Sequence, residues 1–467
     1  MLKTLNPLLN KPMKLSSPFL FCGLLLALSL RAEQKVEVAK KPGEEFILQP
    51  VTTLADLPPV PADQGLNLYG GATEPKQKAT GFFRTEKING RWWIIDPMGG
   101  RFIHRGVASV YPLTTDGAKA ALAKLFKDRA GWAEATTKQL WDAGFNGTGS
   151  WSDDANLAKS PRKVVSTKLL SLMAGFAKTR GKEFAWMGRG HMDYLGDCPF
   201  IFDPGFRAYC QEACKELAVT KEDPWLLGYY TDNEMPWSPK MLERYLALKE
   251  NEPGRLAAEA WLKDKKISKE GITDAHRDAF LQFAAESYFE IVSSAIRAAD
   301  PNHMVLGARF HDSVINFDPI FVAAGKYCDI ISVNYYRAWT PRPAQMSGWL
   351  QKSGKPFLIT EWYAKAEDSG MANTGGAGWL VHTQKDRGLY YQHFALGLLA
   401  NPGCVGWHWF RYADNDPDAK GVDPSNLDSN KGIVNCRYVP YPPLLDAMRE
   451  LNQRTYGLIE AIDKKSK

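Results

Sequence analysis

Eight short apolar runs, separated for the most part by amphipathic stretches, constrain the fold more than any other feature of this 467-residue sequence. They cover residues 102–107, 144–150, 169–175, 226–230, 304–309, 330–336, 356–360 and 405–410. Between most of them apolar side chains recur at helical spacing, as at Leu122, Leu125 and Phe126, at Phe280, Phe283, Phe289 and Ile296, and at Tyr390, Tyr391, Phe394 and Leu398. Strand-length runs alternating with helical patterns predict an α/β fold, and eight such units predict a (β/α)8 TIM barrel. A doubly wound sheet fits the alternation as well, but it usually carries a glycine-rich phosphate loop, and neither GxGxxG nor GxxxxGKS/T occurs.

The flanks of this repeat suggest the domain plan. Residues 19–28 are an apolar stretch preceded by Lys3, Lys11 and Lys14 and followed by Arg31-Ala32. Ten apolar residues are too few for a membrane span but suit a signal peptide, so 1–32 is expected to direct export to the periplasm or the medium. Residues 33–80, rich in Pro, Lys and small residues, read as an N-terminal arm. Asn89-Gly90 before a run of apolar residues is the signature of a tight β-hairpin. The barrel is expected over 81–460, with a charged, Ala-rich insertion at about 235–275 in the long connection after the fourth run.

Composition narrows the function. With 45% hydrophobic and 24% charged residues the chain is neither disordered nor a polytopic membrane protein. The net charge of +6 falls close to zero once the basic leader is set aside, so nothing asks for a nucleic-acid partner. Fifteen Trp, 18 Tyr and 22 Phe supply a large core or, in part, stacking platforms for sugar rings. Six cysteines remain after the leader (Cys198, Cys210, Cys214, Cys328, Cys404 and Cys436), and their spacing selects no pairing. Eight scattered His with no HxH or HExxH speak against a metal-dependent hydrolase, so neither metal nor cofactor is expected.

In a βα barrel the reacting groups sit at the carboxyl ends of strands. The fourth run, LGYYTDNE at 227–234, ends on Asn233-Glu234; the seventh, KPFLITEW at 355–362, places Glu361 at its end. Strands four and seven face each other across a barrel mouth. Two opposed carboxylates are what glycoside hydrolysis requires, one as proton donor and the other as base or nucleophile. The sixth run, ISVNYY at 331–336, puts Asn334 and Tyr336 on one face by its period of two, where Tyr336 can donate to Glu361 and Asn334 can meet sugar. Asn146 ends run two, Arg309 ends run five and Trp409 ends run eight, the last as a floor for the reacting ring. Arg309, Arg337, Arg342, Lys365 and Arg411 all follow strand ends and raise the possibility of an anionic, sulfated substrate, against the alternative of solvated loop charges.

The Asn-Glu of run four, the Glu of run seven and the Asn-Tyr-Tyr of run six together resemble the clan A retaining glycoside hydrolases. More narrowly, GRWWIIDP at 90–97, FDPGF at 202–206, LGYYTDNE at 227–234 and GWHWFRY at 406–412 resemble the family 50 β-agarases, over residues 80 to 455. That resemblance implies Glu234 as acid/base, Glu361 as nucleophile and Asn233 as ligand of the hydroxyl beside the reacting carbon. It implies an oligo- or polysaccharide substrate, a β-linked galactan of the agarose or porphyran type. Agarases of that family commonly carry a β-sandwich ahead of the barrel, where residues 33–80 offer only a short arm. A β-galactosidase-like activity on another glycan and a non-catalytic carbohydrate-binding barrel are the alternatives.

Overall fold

A computed structural model describes residues 34–181, 194–423 and 425–465. The leader expected over residues 1–32 lies outside the described residues.

Eight parallel strands carry the architecture: β1 (His104–Val107), β2 (Gly147–Thr148), β3 (Ser166–Leu169), β4 (Leu226–Tyr230), β5 (Met304–Val305), β6 (Ile331–Asn334), β7 (Phe357–Glu361) and β8 (Cys404–Trp409). The fold is mixed α/β. The strands pair as a five-stranded sheet, in the order β6-β7-β8-β1-β2, and a three-stranded sheet, in the order β5-β4-β3. They do not form one continuous ladder. At each seam stands one isolated parallel bridge, Gly147 to Val165 and Phe310 to Val333. The seams fall where strands are shortest, because β2 and β5 are two residues long. After β5 the backbone turns away at Gly307 and Arg309, both with positive φ.

The helices form where the apolar spacing placed them, with recognisable starts. Asp274–Ala299 begins at Thr273, whose hydroxyl accepts the amide of His276. Gln384–Leu399 begins with a capping box between Thr383 and Asp386. The stretch of helical spacing before β2 forms two helices, Asp116–Phe126 and Arg129–Asp142, because Lys127 turns to positive φ and Asp128 caps the second. Several strands are shorter than their apolar runs, and two of the runs change element part-way. The run at 169–175 is largely helical: β3 ends at Leu169, and Leu172, Met173, Phe176 and Ala177 are the buried face of Leu172–Arg180. A short apolar run carries no periodicity that separates a strand from a buried helix turn. The run at 102–107 breaks at Ile103, its first residue joining a separate sheet.

That separate sheet is the expected hairpin plus a third strand. Arg84–Ile88 pairs antiparallel with Arg91–Ile95, which pairs with Arg101–Phe102. Asn89 and Gly90 both take positive φ, as a tight hairpin turn of this twist requires. Ahead of it, Lys35–Val38 and Ile47–Pro50 form a further antiparallel pair.

The interior of the parallel strands is graded. Leu227, Met304, Leu358 and Val405, from the amino-terminal halves of their strands, and Ile330, just ahead of β6, cluster with Ile94 and Phe102 of the antiparallel sheet and with Phe83 just ahead of it. The polar residues Asn334 and Glu361 are the last residues of β6 and β7. One end of the sheets is therefore sealed with apolar side chains and the other is left for chemistry. The six cysteines among the described residues are free thiols.

Close strand approach depends on two glycines. Gly228 in β4 and Gly406 in β8 share φ 156°, and a β-carbon at either would lie 2.1–2.2 Å from a carbonyl oxygen of the neighbouring strand. Gly406→Ala is expected to cost about 1–3 kcal/mol of stability, read as a lowered midpoint in chemical denaturation.

Candidate active site

The exit of β4 is anchored before it reaches its functional residues. Asp232 accepts the backbone amides of Met173 and Ala174, at the start of the helix Leu172–Arg180, and the hydroxyl of Tyr288 at 2.7 Å. With Asp232 held, the next two residues turn toward the open end, Glu234 in the left-handed region at φ 49°. Asn334, at the end of β6, donates from Nδ2 to Glu234 Oε1 at 2.7 Å. Its Oδ1 accepts from Thr360 Oγ1 at 2.7 Å, which fixes which way the amide faces.

Thr360 is the neighbour of Glu361, and Glu361 is bound through both oxygens. Its Oε1 is paired with Arg309 Nη2, and its Oε2 accepts from Tyr336 OH at 2.5 Å. Glu361 is 5% exposed and Arg309 is fully buried. Burial pushes the Glu361 carboxyl above the usual carboxylate range; the Arg309 guanidinium and the Tyr336 hydroxyl oppose that push, and the charge of Glu234 adds to it. Burial beside Glu361 holds the Tyr336 hydroxyl well above its ordinary value, so it stays protonated as a donor.

Arg309 is the hub of the arrangement. Besides Glu361 it reaches Asn233 Oδ1 from Nε at 2.8 Å and Ser150 Oγ from Nη1 at 2.8 Å. Its guanidinium lies over the rings of Trp151 (4.7 Å) and Tyr230 (5.3 Å). One side chain thus ties the exits of β2, β4 and β7. Asn233 has its Oδ1 engaged by Arg309, which leaves its NH2 facing away from that contact.

These groups border one cavity of about 960 Å³. Glu234, Glu361, Asn233 and Tyr336 line it, together with Trp151, Tyr111, Phe410 and Lys431. Trp151 keeps 43% of its surface exposed, a large flat face at the cavity. Asn334 and Arg309 stand directly behind the lining and act through the groups they hold.

Two sequence-predicted residues are placed elsewhere. Asn146 is completely buried and spent on the backbone, accepting from Arg105 N at 2.9 Å and donating to Ile103 O at 3.0 Å. Trp409 is also fully buried: its indole donates to Lys431 O at 2.8 Å and its ring packs edge-on against Trp362 at 5.2 Å. A strand alternates its faces, and the ring that reaches the cavity is the next one, Phe410. The five basic residues behave differently from one another. Lys365 is buried away from the cavity on the carbonyls of Asn373 and Gly375, whereas Arg337, Arg342 and Arg411 line the wall, Arg337 paired with Asp312 at 2.7 Å.

Trp151, Tyr111, Ser150 and Lys431 join the site without having been expected from strand ends. Ser150 is the last residue of the second run and Trp151 follows it, one step beyond. Lys431 belongs to an irregular segment after β8 that carries no periodic signal. Among the described residues no group of three or more His, Cys, Asp or Glu is arranged to hold a metal ion, and no helix is long and apolar enough to cross a membrane.

No family model matches the chain. The crystal structure of BpGH50 superposes with a TM-score of 0.82 at 32% identity, covering 92% of this chain and 96% of that one. This chain belongs to glycoside hydrolase family 50. The agarase AgWH50C and an exo-beta-agarase share the fold, with TM-scores of 0.71 and 0.70 at 24% and 23% identity over 85% of this chain; it spans 67% and 68% of theirs. Among curated proteins, beta-agarase B of Vibrio sp. (strain JT0107) is 26% identical over 84% of this chain and beta-agarase A of the same strain is 27% identical over 70%. The chain spans 50% and 36% of the lengths of those two relatives.

Removing one partner of a buried ion pair leaves the other charge uncompensated, at about 3–5 kcal/mol. Arg309→Met is expected to destabilise the protein on that scale at pH 7, by urea denaturation. The double variant Arg309→Met/Glu361→Gln is expected to be more stable than the sum of the two single changes implies. Without Arg309 the folded-state pKa of Glu361 rises further above its unfolded value, so folding takes up a proton. The deficit of Arg309→Met should therefore shrink as pH falls toward the acid range and grow as pH rises through that raised pKa.

Proposed function

We propose that this chain is an exported retaining glycoside hydrolase that cleaves β-galactosidic bonds in agarose- or porphyran-type galactans by a two-glutamate double displacement. The observation that carries the reading is the pair of strand-end carboxylates, Glu234 and Glu361, on the wall of one cavity and tied to each other's strands through Asn334 and Thr360. The agarases among the chain's relatives support the substrate class.

In this reading Glu361 is the nucleophile. The Arg309 cation and the Tyr336 hydroxyl favour its carboxylate form and orient it toward the cavity. Its oxygen attacks the anomeric carbon as the bond to the leaving oxygen breaks, and Glu234 delivers a proton to that oxygen. A water then enters, Glu234 takes its proton, and the water oxygen displaces Glu361 with the anomeric configuration retained. The free NH2 of Asn233 donates to the hydroxyl beside the reacting carbon, and Trp151 and Phe410 offer apolar faces to the sugar rings. The five- and three-stranded sheets are read as one (β/α)8 barrel over 81–460, supported by the two bridges at their seams. The arm at 33–80 and the insertion at about 235–275 are read as additions to it.

The carboxylate roles separate by leaving group. Glu234→Gln is expected to lower kcat on oligogalactan about 10²–10⁴-fold, the range of general-acid help, and much less on an aryl β-galactoside whose phenol leaves without a proton. Glu361→Gln is expected to lose about 10⁴-fold or more on both substrates. Proton NMR of the first product formed should show the β-anomer before mutarotation; an α-anomer would overturn the retaining mechanism.

A further inference from the structure

Two buried cations of the cavity wall have no counter-ion among the described residues. Arg411 is 4% exposed and Lys431 is 2% exposed, and both line the cavity. Among the described residues no carboxylate lies within ion-pair distance of either; their polar partners are neutral. Arg411 donates to the Tyr111 hydroxyl and, at 3.3 Å, to Asn415 Oδ1, with its guanidinium 5.1 Å from the Tyr111 ring centroid. Its Nε is buried with no hydrogen-bond partner. Lys431 donates to Asn426 Oδ1 at 2.6 Å and sits over the rings of Tyr363 (4.7 Å) and Phe410 (5.3 Å).

Other buried cations among the described residues are held differently or lie away from the cavity. Arg309 is matched by Glu361, and Arg91 by Asp463 at 2.7 Å. Lys365, Arg105 and Arg387, which have no carboxylate within ion-pair distance among the described residues either, donate to backbone carbonyls and do not line the cavity. A buried charge against neutral partners is costly, and a fold that keeps two side by side at an open wall gains when an anion arrives to share them. Their mutual repulsion is visible in Lys431, which burial and then Arg411 push down to about 7, against the pull of Glu361 and Asp423. An anion between them would draw the proton back.

We propose that Arg411 and Lys431 form an oxyanion subsite beside the catalytic carboxylates, and that the galactan taken by this chain carries a sulfate ester at that position. The pairing of a guanidinium fork with an ammonium point charge matches a tetrahedral oxyanion, several of whose oxygens can be met at once. The neutral donors and rings that hold the two cations leave their charge for the substrate. The inference rests on the glycosidase reading above, and it replaces the wider basic set expected from strand ends with two residues.

The test compares one sulfated oligogalactan with its chemically desulfated counterpart and with a uronate-bearing oligosaccharide of similar length. The wild type is expected to cleave the sulfated chain with at least about tenfold higher kcat/KM than the desulfated one, mainly through KM. Arg411→Met and Lys431→Met are expected to lose more on the sulfated than on the desulfated chain, and Arg411→Lys to recover part of the loss. Equal wild-type rates on sulfated and desulfated chains would overturn the proposal, as would variants that lose the same factor on both, the result expected if the cations serve only to stabilise Glu361. Preference for the uronate would overturn the sulfate assignment. Calorimetry on Glu361→Gln reads binding without turnover. Selective binding of the sulfated chain with no cleavage of any chain by the wild type would sink the hydrolase reading and keep the subsite; cleavage of the desulfated chain alone would do the reverse.

Discussion

The buried pair of Arg309 and Glu361 is the contact on which the rest of the site depends. A carboxylate that is 5% exposed at the end of a strand is expensive to ionise, and a fully buried guanidinium is expensive to leave alone. Each removes the other's penalty only while the geometry is held. That geometry is supplied from three directions, because Arg309 also engages Asn233 after β4 and Ser150 after β2. Displacing any of these strand exits would loosen the pair. The same side chain therefore links the stability of the open end of the sheets to the ionisation of its central carboxylate.

Around this pair the fold separates cost from use. The amino-terminal ends of the strands are filled with Leu227, Met304, Leu358, Val405 and the adjoining Ile330 and sealed by the antiparallel sheet. The polar groups collect at the opposite ends, where several non-glycine residues, among them Ser109, Trp151, Glu234, Arg309 and Arg337, take positive φ. Each such conformation costs about 1–3 kcal/mol and persists where surrounding structure over-determines it. Four of these five line the cavity, and the fifth, Arg309, stands behind it holding Glu361. The strain is thus concentrated where side chains are aimed inward, and the apolar end of the sheets stabilises it.

Charge on the cavity wall follows the same logic with a different outcome. Arg309 is neutralised from within, whereas Arg411 and Lys431 are held by phenol, amide and ring faces. The first arrangement organises the reacting carboxylate. The second leaves positive potential facing the space a substrate would enter.

Much of this was legible in the sequence, and what was not has a common cause. Strand exits could be read because an apolar run that stops at Asn233-Glu234 or Thr360-Glu361 is a local pattern a few residues long. Asn334 and Tyr336 could be assigned to one face because a strand alternates. The same local reading misplaced Asn146 and Trp409, since at a strand end the choice between the cavity and the neighbouring backbone is made by what lies opposite. It took Leu172 and Met173 for strand, since so short an apolar run has no period. Lys431 carried no signal, because an irregular segment is positioned only by what it packs against. The sequence by itself determined the alternation of elements, the hairpin at Asn89-Gly90 and the two carboxylates that end β4 and β7. Only the tertiary structure decided that Arg309 would neutralise Glu361 and that Arg411 and Lys431 would meet neutral partners among the described residues. Ion pairing and burial depend on distances between residues far apart in the chain, and those distances exist only once the strands have been brought side by side.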